Sequence, residues 1–172
     1  NNNTTRIRTY AVNGPDTDTS GLDVRLQYDW LDVQGGRFSI GAEGTYLFDY
    51  ERGEFSLKDN PGLIIAAPED RAGLHDLVAQ FFSYPKIRAN GFVSYSLAEI
   101  TFRLQTRFTE GTEGAFGTPS NRWVFNGTSY DQQPLGKTDD FWQHDLVVRW
   151  NVTDSLILTG SVQNILDSDP AD

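Results

Sequence analysis

The residues best equipped for chemistry are few, and their spacing is wrong for most of it. Asp16-Thr17-Asp18-Thr19-Ser20-Gly21 imitates the opening of an EF-hand calcium loop. Such a loop requires a bidentate Glu at its twelfth position and helices on both sides. Gln27 stands at that position, and the flanks alternate like strands, so the segment argues against calcium. His75 and His144 lie on different segments with no ligand spacing near them, which gives no transition-metal site. The chain has no Cys, so thiolate ligands, cysteine nucleophiles and disulfides are excluded. No Gly-x-Ser-x-Gly elbow occurs. Gly111, Gly114 and Gly117 punctuate a loop that precedes no helix, and so do not cradle phosphate. Asp167, Asp169 and Asp172 read as solvated loop charge. The expectation is a protein that is not an enzyme and uses no cofactor or metal.

One group remains that could recognise a ligand. Trp123, Phe125, Asn126, Tyr130 and Gln132 combine rings with amides in a long polar segment. Such residues can stack on a sugar or aromatic group from above, or they can pack the segment onto its neighbours. Both uses stay open at this level.

The elements that would position them are strands. Over Leu22–Leu31 the residues Leu22, Val24, Leu26, Tyr28 and Trp30 alternate with Asp23, Arg25, Gln27 and Asp29. Successive side chains of a strand point to opposite faces, so one face is apolar and the other charged. The pattern returns over Arg37–Tyr50, where Leu47 breaks it, and over Lys86–Leu97, where Phe92 is on the polar face. Ile100–Phe108, Trp142–Val152 and Leu156–Gln163 repeat it. Arg6–Val12 is expected to add a strand, and Arg71–Phe81 a short loop helix through Leu74, Leu77, Val78 and Phe81. Globular strands average about 5–6 residues, whereas a tilted membrane strand needs roughly 9–11. These segments match the second length.

Composition supports the same environment. The chain has 172 residues, one domain's worth, and a formal charge of −10, which disfavours nucleic acid as a partner. No apolar run is long enough for a membrane helix. A mean hydropathy of −0.47 suits a wall with one wet face. Short polar gaps at Asp32–Gly36, Ala98–Glu99 and Thr153–Asp154 alternate with long connections over Glu51–Phe82 and Thr109–Asp139. In an up-and-down meander this puts short turns at one end and long loops at the other, the asymmetry of outer-membrane barrels.

The aromatics sort by height. Trp30, Phe38, Tyr95 and Trp150 lie near the short-turn end, and Tyr46, Phe48, Tyr50, Phe108 and Trp142 near the long-loop end. Two such belts mark the two interfaces of a bilayer, so outer-membrane lipid is an expected partner. Arg25, Glu43, Arg88, Arg103, Arg107 and Arg149 then line an aqueous lumen, as interstrand ion pairs rather than as a substrate relay.

Three stretches resemble the C-terminal barrel of TonB-dependent receptors, transporters of the bacterial outer membrane. They are Val12-Asn13-Gly14-Pro15 with Thr19-Ser20-Gly21-Leu22-Asp23-Val24, then Tyr84-Pro85-Lys86-Ile87-Arg88-Ala89, and Gln163-Asn164-Ile165-Leu166-Asp167 with Pro170. The resemblance implies an all-β fold, an antiparallel meander supplying six or seven strands of a transmembrane barrel of about 22 with a plugged lumen. It also implies uptake of a scarce small-molecule ligand (siderophore, vitamin or oligosaccharide) and contact with the TonB complex through a plug. Residues 1–172 are expected to be one partial barrel domain without the plug or the final strand. Two rivals are a complete small outer-membrane barrel acting as an adhesin or structural protein, and a soluble carbohydrate-binding β-sandwich. A sandwich would bury Leu26, Ile40, Leu104 and Val148; a barrel wall would leave them bare.

Overall fold

A computed structural model describes residues 14–57, 60–75, 83–113, 121–125, 127–134 and 137–169. Its regular elements are eleven strands and, among the described residues, no helix. Six long ones form the wall: β1 (Thr17–Val33), β2 (Gly36–Arg52), β6 (Ile87–Leu97), β7 (Ile100–Thr109), β10 (Phe141–Thr153) and β11 (Leu156–Val162). The long connections carry β3 (Phe55–Leu57), β4 (Asn60–Ala66), β5 (Glu69–Asp70), β8 (Asn121–Phe125) and β9 (Tyr130–Pro134).

The wall strands pair antiparallel in the order β1-β2-β6-β7-β10-β11, with β5 added against the far end of β2. This is the expected meander. The turns between β1 and β2, β6 and β7, and β10 and β11 all fall at one end, and both long excursions leave from the other. Gln34 and Gly35 both have positive φ, at 51° and 79°, the twist that suits a two-residue hairpin. The long connections are more ordered than a loop reading predicts, because β3 pairs β4 and β8 pairs β9 within them.

Register carries the alternation across the sheet. Tyr28, Ile40, Val93, Leu104, Leu146 and Val162 are successive partners, one per strand. The next row toward the short turns is Trp30, Phe38, Tyr95, Phe102, Val148 and Gly160. No second layer covers these rows among the described residues. Leu26 is 68% exposed, Ile40 41% and Leu104 43%, and Val148 is half-buried. Among the described residues the buried apolar side chains are Ala72 and Pro85, both in the first long connection and neither on the wall. A soluble sandwich would spend this surface on a core; here the apolar face is bare, as a lipid-facing wall requires.

Two expectations shift. Residues 71–75 form a turn and an isolated bridge from His75 to Ser83, not a helix. The remainder of that segment, and Arg6–Val12, lie outside the described residues. A bulge at Phe48 changes the register of β2, so that Leu47 pairs with Gly21 and Asp49 with Ser20. Tyr50 consequently pairs with Thr19, out of phase with the apolar rows, and its ring lies 4.2 Å from that of Tyr84.

Candidate functional site: the two faces of the wall

The outward face is built as aromatic belts around an aliphatic middle. Near the short turns, Trp30 lies 4.4 Å from Tyr28 and 5.2 Å from Phe38, centroid to centroid. Tyr95, the partner of Phe38, covers Gly36 and donates its hydroxyl to the Val33 carbonyl at 3.0 Å. A Cβ on Gly36 would stand 2.7 Å from that hydroxyl, so glycine is needed for the ring to close over the turn. Near the long loops, Tyr46 lies 5.1 Å from Phe48, and Phe108 lies 4.5 Å from Trp142. Phe38 and Tyr46 on β2, like Trp142 and Trp150 on β10, are eight residues apart. Along a strand that is about 26 Å.

One polar pair interrupts this face. Thr106 and His144 are register partners in the row of Ala42 and Gly91, and their side chains hydrogen-bond at 2.9 Å. Both stand in the apolar phase of their strands, and pairing satisfies two polar groups that their apolar surroundings would otherwise leave unpartnered. His75 also meets a threonine, Thr112, at 3.0 Å. Among the described residues no cluster of His, Cys, Asp or Glu could hold a metal ion.

The opposite face is polar. From the Asp23–Thr45 row to the Arg37–Ser96 row it carries six arginines, Arg25, Arg37, Arg88, Arg103, Arg107 and Arg149. Four acids accompany them, Asp23, Asp29, Glu43 and Asp145. The wet face is therefore positive by two charges in a chain of net charge −10. Arg37 pairs with Asp29 at 3.1 Å and Arg107 with Asp145 at 2.8 Å. Of the six lumen residues read from the sequence as ion pairs, only Arg107 makes one within the described wall. Arg25 and Glu43 are register partners outside ion-pair distance, and Arg103 lies over the ring of Phe92.

At the loop end the two long connections are tied together. Asp70 accepts the backbone N–H groups of Tyr50 and Ala72, each at 3.0 Å. Thr112, 1% exposed, bonds Thr138 through its N–H at 2.8 Å, while Glu113 N–H reaches the Gly73 carbonyl at 2.7 Å. Of the residues read as possible ligand contacts, Trp123 pairs in register with Gln132 and Phe125 with Tyr130, on the β8–β9 hairpin. Tyr130 is 66% exposed. The side chains of Trp123, Phe125 and Gln132, and all of Asn126, lie outside the described part of the molecule.

The segment after β11 explains its own sequence. Asn164 adopts a positive φ of 51° and donates its side-chain amide to the Ser168 carbonyl at 3.0 Å. Its side-chain oxygen accepts the Ser168 N–H at 3.0 Å, and its own N–H binds Asp145 at 2.9 Å. Asparagine tolerates the left-handed region and carries both a donor and an acceptor.

A family model described as TonB dependent receptor-like, β-barrel matches residues 1–165. No curated protein and no solved structure matches the chain.

Proposed function

The chain belongs to the TonB-dependent receptor β-barrel family, and from that premise we propose that it forms part of the wall and surface loops of an outer-membrane transporter, driven by energy relayed from the inner membrane. The family is one of receptors and transporters rather than enzymes. The observation that carries the reading is the uncovered apolar face, continuous in register over six strands and bounded by aromatic belts. Such a face is stable against acyl chains and costly against water. The other face, with its arginines and amides, suits an aqueous lumen.

On this reading the aromatics Trp30, Phe38, Tyr46, Phe48, Tyr95, Phe108, Trp142 and Trp150 anchor the wall at the two interfaces, with Tyr50 packed at the rim. The β8–β9 hairpin of the second long connection carries Tyr130, 66% exposed, as the contact for a solute. The cargo is a scarce small molecule, and a domain filling the lumen passes on the inner-membrane energy.

The test uses the full reading frame in its native host. The protein should band with the outer membrane on a density gradient and resist carbonate extraction. Cells carrying it should accumulate one labelled solute from a panel of ferric chelates, cobalamin and oligosaccharides, and a protonophore should stop that accumulation. Recovery in the soluble fraction, or uptake indifferent to the protonophore, overturns the reading.

A further inference from the structure

Phe92 is an apolar ring on the wet side of the wall. Its register partner Gly41 has no side chain, and the ring lies over the gap. One strand further, the guanidinium carbon of Arg103 sits 3.7 Å from the centre of that ring. A cation–π contact holds the arginine along the face while leaving its N–H fork unused. Among the described residues no carboxylate lies within ion-pair distance of Arg103 or Arg25. Together with Glu43, Asn90 and Gln105 these groups border a concavity of about 130 Å³. Two arginines therefore share one hollow with a single acid, and the planar donor of one is held in place before any ligand arrives.

We infer that this hollow binds a carboxylate presented from the lumen, with Arg103 as its bidentate partner and Arg25 as the second charge. Asn90 and Gln105 supply neutral amide donors. The volume admits a single carboxylate-bearing arm and not a whole drug-sized solute. The inference rests on the proposed wall role, since only a water-filled lumen brings a carboxylate to this face. Two sources offer the same chemistry: a free organic acid or chelate in transit, and an Asp or Glu side chain of a segment that fills the lumen.

The experiment is modification of the intact full-length receptor by phenylglyoxal, with the rate at Arg103 followed by mass spectrometry. Arg149, on the same face but outside the hollow, is the internal reference. Citrate is the free-carboxylate probe, and moderate urea that leaves the barrel's electrophoretic mobility unchanged releases a lumen-filling segment. If the carboxylate is free, citrate slows Arg103 about tenfold and spares Arg149, and Arg25→Gln weakens that protection about tenfold. If a protein segment supplies it, citrate has no effect, and urea speeds Arg103 about tenfold relative to Arg149. A change below about twofold in both arms, in a receptor that is in the outer membrane, overturns the inference and leaves the wall reading intact. A receptor absent from the outer membrane fails the wall reading instead.

Discussion

Gly41 on β2 and Phe92 on β6 face each other across the wet side of the sheet, and the ring of Phe92 fills the space that a side chain at position 41 would need. The pair explains why an aromatic residue interrupts the polar alternation of β6: the ring restores contact to a glycine whose backbone would otherwise stand open. Gly41→Ala should therefore cost about 1–3 kcal/mol by overpacking. Adding Phe92→Ala should remove most of that cost, because the two changes share one contact. A urea titration of the receptor in lipid vesicles, comparing both single variants with the double, reads the coupling; strictly additive costs would refute it.

The two faces of β7 predict opposite tolerance at neighbouring positions. Leu104 lies in the middle of the aliphatic band, and Gln105 points to the lumen beside Asp145. Leu104→Arg should cost about 2–4 kcal/mol, as a cation at the bilayer midplane does. Gln105→Arg should change stability by less than about 0.5 kcal/mol. Equal costs in the same vesicle assay would mean that the outward face does not meet lipid.

Asn164, in the bend after β11, makes two side-chain hydrogen bonds to Ser168 in a left-handed conformation. Asn164→Ala loses both bonds and strains the backbone, at about 2 kcal/mol. Asn164→Asp keeps the acceptor for the Ser168 N–H and loses the donor, so about half that cost is expected. The ordering of the three proteins in urea midpoint is the check.

Asp70 predicts a pH response at the loop end. Burial works to raise its carboxyl pKa, but the N–H groups of Ala72 and Tyr50, with the charge of Lys86, outweigh it and hold the pKa below its ordinary value. The folded pKa lies below the unfolded one. Its contribution is therefore present above the unfolded value of about 3.9 and is lost as pH falls through the folded value. Acid-active protease should nick residues 53–86 faster as pH falls below about 4. Asp70→Ala should be nicked faster near neutrality, with little further pH dependence; identical profiles for both proteins would exclude the anchor.

Among the described residues, β1 and β11 are the outer strands of the wall, with no further strand beyond either. Hydrocarbon does not tolerate such edges, and water exposes them to pairing between chains. Residues 1–172 expressed alone should aggregate, and light scattering measures it. A monodisperse, protease-resistant species in detergent would show that the edges find another cover.

Alternation along a strand is a local consequence of the pleat, and for that reason the sequence by itself determined the two faces, the six wall strands and the meander. Leu22 to Trp30 declares its apolar side whatever its neighbour is. Register is different, because it depends on which residue of another strand stands opposite. Only the tertiary structure could seat Phe92 over Gly41, let Thr106 satisfy His144, and move Tyr50 out of the apolar phase through the bulge at Phe48. The ion pairs had the same fate: Arg25 and Glu43 have opposite charges and face each other, yet Arg103 settles on a ring and Arg107 reaches Asp145, since side-chain reach and diagonal geometry choose the partner. The paired strands within the long connections, and the tie between them at Thr112, arise from contacts far apart in sequence that no local period records.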